Sequence, residues 1–239
     1  KRQAVFQSFE ESASSAASAN RLELLRAELA HLGVDGFIVP RADEHQGEYI
    51  PDAAARLAWL TGFSGSAGYA VVLPDSATLF VDGRYTTQAR DQVDPAVMQT
   101  ASSIDTPLPK YLSGVAAGMT IGFDPWLHTQ AEAAALRKAA EETGFKLVPL
   151  PHNPIDRIWQ DRPLAPKGKV VQHPETLAGR SAAAKLDEMG ETMRAAGGTA
   201  AVLTDPSSIA WVFNIRGQDV PHTPCLLYTS PSPRDQRGS

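Results

Sequence analysis

Cysteine is almost absent from this sequence, because Cys225 is the only one among 239 residues. A single thiol excludes an internal disulfide framework and a cysteine-rich zinc site. Histidine is scattered as well, and none of the six histidines pairs with another at the H-E-x-x-H spacing that marks a metallopeptidase helix. The residues alone therefore predict no metal site within this chain.

Runs of basic residues and long apolar runs are also missing. Lys and Arg total 22 against 27 Asp and Glu, for a net charge of −5, whereas nucleic-acid binding needs clustered positive charge. No apolar stretch approaches the roughly 20 residues of a membrane helix. We expect neither nucleic acid nor a membrane as a partner, and, with no recognisable signal peptide, a cytoplasmic location.

Short apolar runs alternate with helical patterns along the first 150 residues. Asn20 and Glu23 are expected to form a capping box for a helix that ends at Gly33. Further helices are expected at 52–60, 83–91 and 129–144. Strands are expected at 36–40, 69–73, 77–81, 120–123 and 146–150. Interleaved strands and helices indicate an α/β fold with a mixed sheet.

The same order of elements restarts after the proline-rich stretch 149–174, which is interpreted as a linker because proline breaks helices and sheet ladders. Leu186, Met189 and Met193 define a helix face, and residues 200–203 are expected to form a strand. Ala58-Trp59 and Ala210-Trp211 then open the same pattern, Ala-Trp-aliphatic-x-x-apolar-x-Gly. This recurrence predicts two copies of one fold.

The expected organisation follows from these patterns. It comprises a flexible lead-in at 1–19, a first domain at 20–150, a linker and start of a second domain at 151–180, a partial second copy at 181–224 and a tail at 225–239. Back-translated, Cys225–Asp235 resembles a transposase adapter used in DNA sequencing libraries. We expect the tail not to be native. The alternative is a native Ser/Pro-rich disordered tail.

Candidate catalytic residues are few. Ser64 and Ser66 lie in a glycine-rich turn, but the turn lacks the closing glycine of a nucleophile elbow. Asp43 and His45 are neighbours in sequence only, which does not make a triad. Arg84 follows a strand end and a glycine, so its guanidinium can project from the sheet rim toward a carboxylate or carbonyl. A local ion pair with Asp82 or Asp91 is the structural alternative, and the residues alone favour it.

Several stretches taken together resemble the first two domains of the three-domain Xaa-Pro aminopeptidases, the aminopeptidase P family. The resemblance covers 20–224 and rests on the order and spacing of five motifs. They are Arg41–Ile50, Thr61–Gly68, Asp82–Tyr85, Asn153–Pro163 and Ile209–Pro224.

The resemblance implies a creatinase-like N-terminal domain with a mixed sheet, a truncated second copy of it, and a pita-bread catalytic domain that is absent from this sequence. That domain holds two divalent metal ions, typically manganese, through two Asp, one His and two Glu. The family releases the first residue from short peptides that have proline second. Arg84 matches a family arginine that reaches toward the substrate, and a homodimer is a candidate assembly.

Two alternatives stay open. One is a stand-alone, non-catalytic creatinase-like domain that acts in binding or dimerisation. The other is a related prolidase or creatine hydrolase, which the doubled N-terminal fold disfavours. Under the leading interpretation, this chain is an N-terminal fragment of a metallopeptidase and is expected to be inactive by itself, without cofactors of its own.

Overall fold

The structure is a computed structural model that describes residues 17–220 and residue 223. The described residues divide into two compact units, one comprising 17–48 and Ala54–Arg162, the other Tyr49–Ala53 and the described residues from Pro163 onward. The predictions for residues 1–16 and for the tail at 225–239 lie outside the described residues. Residues 18 and 19, expected in the lead-in, already belong to the first helix.

The first unit alternates helices and strands along most of its length. Its helices are α1 (Ser18–Leu32), α2 (Arg56–Thr61), α3 (Thr86–Gln92), α4 (Leu108–Val115), α5 (Gln130–Thr143) and α6 (Pro154–Ile158). Its strands are β1 (Gly36–Pro40), β2 (Tyr69–Val72), β3 (Ala77–Val81), β4 (Gln99–Ser102), β5 (Thr120–Phe123) and β6 (Lys146–Pro149). The five strands expected from apolar runs are confirmed.

The six strands form one mixed sheet in the order β4-β3-β2-β1-β5-β6. Strand β2 is antiparallel to both of its neighbours, and the pairs β3–β4, β1–β5 and β5–β6 are parallel. The carboxyl ends of β1, β3, β4, β5 and β6 therefore meet at one edge of the sheet, and β2 begins there. We call this the carboxyl edge.

Helices cover both faces of this sheet. One core cluster joins Leu25 of α1 and Leu60 of α2 to the sheet residue Val72, all fully buried. The opposite cluster joins Leu112 of α4 and Leu136 of α5 to Phe80. Burial of apolar residues on both faces explains why the central strands are mostly apolar.

The first helix begins earlier than the sequence pattern indicates. Its N-cap is Ala17, with no side-chain hydrogen bond, so the predicted capping role of Asn20 is wrong. Ser18, the first helical residue, is 1% exposed, so the helix begins ahead of the expected cap with a buried residue. The C-terminus is as predicted, because Gly33 adopts a left-handed conformation with φ of 68°.

Helix α5 carries the predicted capping box. The hydroxyl of Thr129 accepts a hydrogen bond from the Glu132 backbone N–H at 3.2 Å, and the Glu132 carboxylate accepts one from the Thr129 backbone N–H at 2.7 Å. We expect Thr129→Ala to lower the free energy of unfolding by about 1 kcal/mol, measured by urea denaturation. Thr129→Ser keeps the acceptor and is the control. Equal loss in both variants would contradict a capping role.

The proline-rich stretch is not a linker along its whole length. Helix α6 lies within it, with Pro154 at the first helical position, where a proline costs no hydrogen bond. Ile155 is fully buried and Trp159 is 8% exposed in the core of the first unit. Residues 153–159 therefore complete the first unit rather than leave it.

The second unit is smaller. It contains β7 (Val171–Gln172), α7 (Glu175–Ala178), α8 (Ala182–Ala195), α9 (Pro206–Phe213) and β8 (Ile215–Arg216), and β7 pairs antiparallel with β8. The helix predicted around Met189 is confirmed, but the strand predicted at 200–203 is wrong. Val202 in that segment is 86% exposed, and no described strand pairs with it.

The predicted repeat recurs in local geometry. In the first unit, Arg21 donates to the Trp59 carbonyl at 2.5 Å, and its guanidinium lies 4.8 Å from the centre of the indole ring. In the second unit, Lys185 donates to the Trp211 carbonyl at 2.7 Å, and its ammonium lies 4.3 Å from that ring. Each unit thus holds its Ala-Trp helix with a cation from a preceding helix.

Candidate functional site

Three of the sequence motifs meet at the carboxyl edge. The motif that starts at Arg41 follows β1, the turn Thr61–Gly68 leads into β2, and Asp82–Tyr85 follows β3. The Arg41 backbone N–H donates to the Gly68 carbonyl at 3.0 Å. The hydroxyls of Ser66 and Tyr85 lie 2.5 Å apart. Hydrogen bonds therefore join segments that are far apart in the sequence.

The turn Thr61–Gly68 has a structural role. Gly62 ends α2 in a left-handed conformation with φ of 79°, which a side chain would disfavour. A Cβ on Gly68 would lie 2.8 Å from the Phe80 carbonyl oxygen, so this position also requires glycine. The Ser64 hydroxyl accepts hydrogen bonds from Gln88 and Gln92. Both partners are side-chain amides, and an amide cannot act as the general base that would activate Ser64 as a nucleophile.

Arg84 forms the local ion pair that was the structural alternative for it. Its Nη2 lies 2.8 Å from the Asp82 carboxylate, which also accepts the Arg84 backbone N–H at 2.9 Å. The Arg84 side chain is still 69% exposed. Hydrogen bonds from the Arg84 side chain and backbone lower the pKa of the Asp82 carboxyl. The pair fixes the direction of an arginine that stays open to solvent.

Tyr85 links Arg84 to the turn. Its ring lies 5.2 Å from the Arg84 guanidinium and packs edge-on against Phe63 at 5.8 Å. Its hydroxyl is the one bonded to Ser66. The Arg84 side chain thus packs against a rigid ring. This contact reduces the conformational entropy that the side chain loses when its guanidinium binds a ligand.

Asp43 and His45 do not form a catalytic pair. The Asp43 carboxylate is fully buried and accepts the backbone N–H groups of His45 and Gly47 at 3.1 and 3.0 Å. These bonds close an Asx-type turn. The structure therefore assigns Asp43 to the shape of the loop after β1.

A further residue of this edge was not predicted as a site residue. Arg41 lies directly after β1 and donates through Nη1 to the Glu48 carbonyl at 2.8 Å. Burial lowers the pKa of Arg41, and the nearby Tyr85, Asp43 and Glu48 partly offset that effect. The signal that could have found it is its position, because Arg41 and Arg84 both follow strands that end at the carboxyl edge.

The motif Asn153–Pro163 lies elsewhere and is structural. Asn153 caps α6 and donates to the Asp124 carboxylate at 2.9 Å. Asp156 accepts two hydrogen bonds from Arg56, at 2.6 and 2.9 Å. Trp159 stacks on Trp59 with ring centres 5.2 Å apart. These contacts attach α6 to the helices of the first unit.

The motif Ile209–Pro224 is described only in part, and His222 lies outside the described residues. Arg216 donates to the carbonyl of its neighbour Ile215 at 2.8 Å. The Asp219 carboxylate accepts the Gly168 backbone N–H at 2.9 Å. Both contacts are local to the second unit and give these side chains structural roles.

Metal ligands are not gathered in the described residues. Within 17–220 and 223, no group of three or more His, Cys, Asp or Glu side chains is arranged to hold a metal ion. A dinuclear site needs several such ligands, so this part of the chain does not fit one. The helices in the same ranges include none with the length and apolarity of a membrane span.

Comparison with known proteins decides the family. A family model described as Creatinase/Prolidase N-terminal domain matches residues 21–158. The chain belongs to the creatinase/prolidase N-terminal domain family. A second model with the same description matches residues 161–229, which supports the doubled creatinase-like fold.

Curated relatives of this creatinase-family chain include aminopeptidases P. It is 36% identical over 215 residues to a probable Xaa-Pro aminopeptidase P of Coccidioides posadasii, covering 88% of this chain and 35% of that protein. It is 38% identical over 200 residues to aminopeptidase P2 of Arabidopsis thaliana, covering 82% of this chain and 28% of that protein. The chain thus spans about a third of the length of such relatives.

A solved relative supports the fold of both units. The crystal structure of an X-prolyl aminopeptidase of Caenorhabditis elegans matches with a TM-score of 0.77 and 31% identity, over 87% of this chain and 36% of that one. That protein is described as a cytosolic enzyme with a di-nuclear active site. The predicted resemblance to aminopeptidase P and the predicted creatinase-like mixed sheet are confirmed.

Proposed function

We propose that this chain forms the amino-terminal part of a Xaa-Pro aminopeptidase, a hydrolase that releases the first residue of peptides with proline second. The observation that carries the proposal is the similarity to aminopeptidases P across 88% of the chain. This sequence similarity extends over residues of both units. Similarity in the first unit alone would fit any creatinase-like domain.

In this proposal, Arg84 is the residue of this chain that contacts the peptide substrate. Support comes from its exposure, from its unused Nη1 within the described residues and from the Asp82 and Tyr85 contacts that orient it. A guanidinium presents its donors in a planar fork that suits a carboxylate or a peptide carbonyl. The described residues supply no nucleophile or general base in this proposal.

Two divalent metal ions, manganese by family resemblance, belong to the proposed enzyme. The described residues do not fit such a site, so no chemical step is assigned to them. The proposed location is cytoplasmic, as stated for the Caenorhabditis elegans relative. A homodimer is part of the proposal as a candidate assembly.

The experiment compares the product of the complete source gene with the 239-residue chain. With Mn²⁺ added, the gene product is expected to release the first residue from an Xaa-Pro-Yaa peptide and not from its Xaa-Ala-Yaa counterpart. The 239-residue chain is expected to release nothing, and a chelator is expected to stop the reaction. A gene product that folds but cleaves neither peptide would favour the non-catalytic binding domain instead.

A further inference from the structure

Arg41 is a second arginine at the carboxyl edge, and the proposed function does not use it. Its backbone is tied to the Gly68 carbonyl at 3.0 Å, and its Nη1 to the Glu48 carbonyl at 2.8 Å. Both anchors are main-chain atoms, one in the partly buried Gly68 and one in the exposed Glu48. The guanidinium is therefore held in place rather than left as a mobile surface charge.

Arg41 and Arg84 share the same neighbours. Tyr85 and Glu48 lie near enough to interact electrostatically with each of the two arginines. The Arg84 guanidinium is 5.2 Å from the Tyr85 ring centre. Tyr69 of β2 pairs with Pro40 of β1 on one side and with Phe80 of β3 on the other. The two arginines therefore leave the carboxyl edge from strands about 10 Å apart, a separation that two long side chains can span.

Each guanidinium keeps donors that the described residues do not use. The Arg41 side chain donates through Nη1, and Arg84 donates through Nε and Nη2. Nε and Nη2 of Arg41 and Nη1 of Arg84 have no acceptor in the described ranges. Arg41 is also partly buried, so an added anion would offset its cost of desolvation. Two neighbouring arginines with spare donors match the two oxygens of a carboxylate.

We propose that Arg41 and Arg84 together bind the free carboxyl terminus of a short peptide, and that Glu48 competes with that carboxylate. The inference rests on the proposed function and narrows its substrate class to short peptides with an unblocked carboxyl terminus. Asp82 stays paired with Arg84, because the ligand takes the Nη1 that Asp82 leaves unused.

The test uses the complete gene product and two forms of one Xaa-Pro-Yaa peptide, a free acid and its carboxyl-terminal amide. The measured quantity is the ratio of kcat/KM for the acid to kcat/KM for the amide. Loss of one charged hydrogen-bond donor predicts a fall of about tenfold in this ratio for Arg41→Ala. Arg41→Lys is expected to give an intermediate ratio because it keeps the charge and loses the fork.

Two further variants sharpen the test. Glu48→Gln removes the competing carboxylate and is expected to raise the acid-to-amide ratio. Arg90→Ala removes an exposed arginine of α3 and is expected to leave the ratio unchanged. Thermal melting of each variant checks that the fold is retained, and the lysine variant supplies the comparison if the alanine variant does not fold.

The outcomes separate the two proposals. A lower ratio in Arg41→Ala and a higher one in Glu48→Gln support the carboxylate site. Equal losses on acid and amide in Arg41→Ala, or no change in either variant, overturn it while peptidase activity in the unmodified enzyme still supports the proposed function. An unmodified enzyme that cleaves neither peptide overturns both.

Discussion

Replacement of Asp156 by alanine is expected to lower the free energy of unfolding of the first unit by about 3 kcal/mol, because it leaves a buried arginine without its partner. The Arg56 side chain is 8% exposed and donates to the two Asp156 oxygens at 2.6 and 2.9 Å. Arg162 lies 2.7 Å from the same carboxylate. Two cations therefore lose one acceptor.

Urea denaturation followed by tryptophan fluorescence measures this effect. The control is Glu142→Ala, whose ion pair with Lys138 spans 3.8 Å between side chains that are 64% and 76% exposed. Such a surface pair contributes about 0.5 kcal/mol or less. Similar midpoints for Asp156→Ala and Glu142→Ala would show that α6 is not attached through Asp156.

Arg84→Ala in the complete enzyme is expected to lower kcat/KM for Xaa-Pro peptides by about 10- to 100-fold, the range for a lost hydrogen bond to a charged group. Stability is expected to change little, since the side chain is 69% exposed and its ion pair is with the near neighbour Asp82. Steady-state kinetics and thermal melting are measured on the same samples.

Two controls bracket the Arg84 result. Arg84→Lys keeps the charge and should recover part of the activity, because a lysine cannot form a planar fork. Arg90→Ala changes an exposed arginine on the neighbouring helix α3 and should match the unmodified enzyme. Unchanged kinetics in Arg84→Ala would remove this residue from the substrate site and leave its ion pair as its whole role.

Much of the first unit is predictable because its central strands carry continuous apolar runs. Val71, Val72 and Leu79 are fully buried. A short apolar run in the sequence indicates a buried strand of this kind. Strand β4 could not be predicted from an apolar run, because Gln99 and Thr100 of this edge strand are exposed and polar. Its position depends on pairing with β3, which is a long-range contact.

Proline misleads the sequence analysis at one place. A run of prolines indicates a linker only where each proline interrupts a helix or a ladder. Pro154 instead occupies the first turn of α6, and Asn153 caps that helix. The burial of Trp159 against Trp59 joins positions 100 residues apart, and no local pattern reports such a contact.

The candidate site shows the same limit. The residue types at Arg84 and Asp82 predict their ion pair, because they are two positions apart and follow a strand. The placement of Arg41 and Arg84 at one edge depends on the order of strands in the sheet, with β2 inserted between β1 and β3. Because β2 is antiparallel to both, the carboxyl ends of β1 and β3 lie at the same edge on either side of it. This arrangement becomes visible only in the structure.

The most direct test is to read the source DNA past the codon for Pro224. We expect an open reading frame that continues into a segment carrying two Asp, one His and two Glu in metal-binding motifs, with codons that differ from those of Cys225–Ser239. A genomic frame that encodes Cys225–Ser239 and then stops would contradict the aminopeptidase proposal and leave a creatinase-like binding domain.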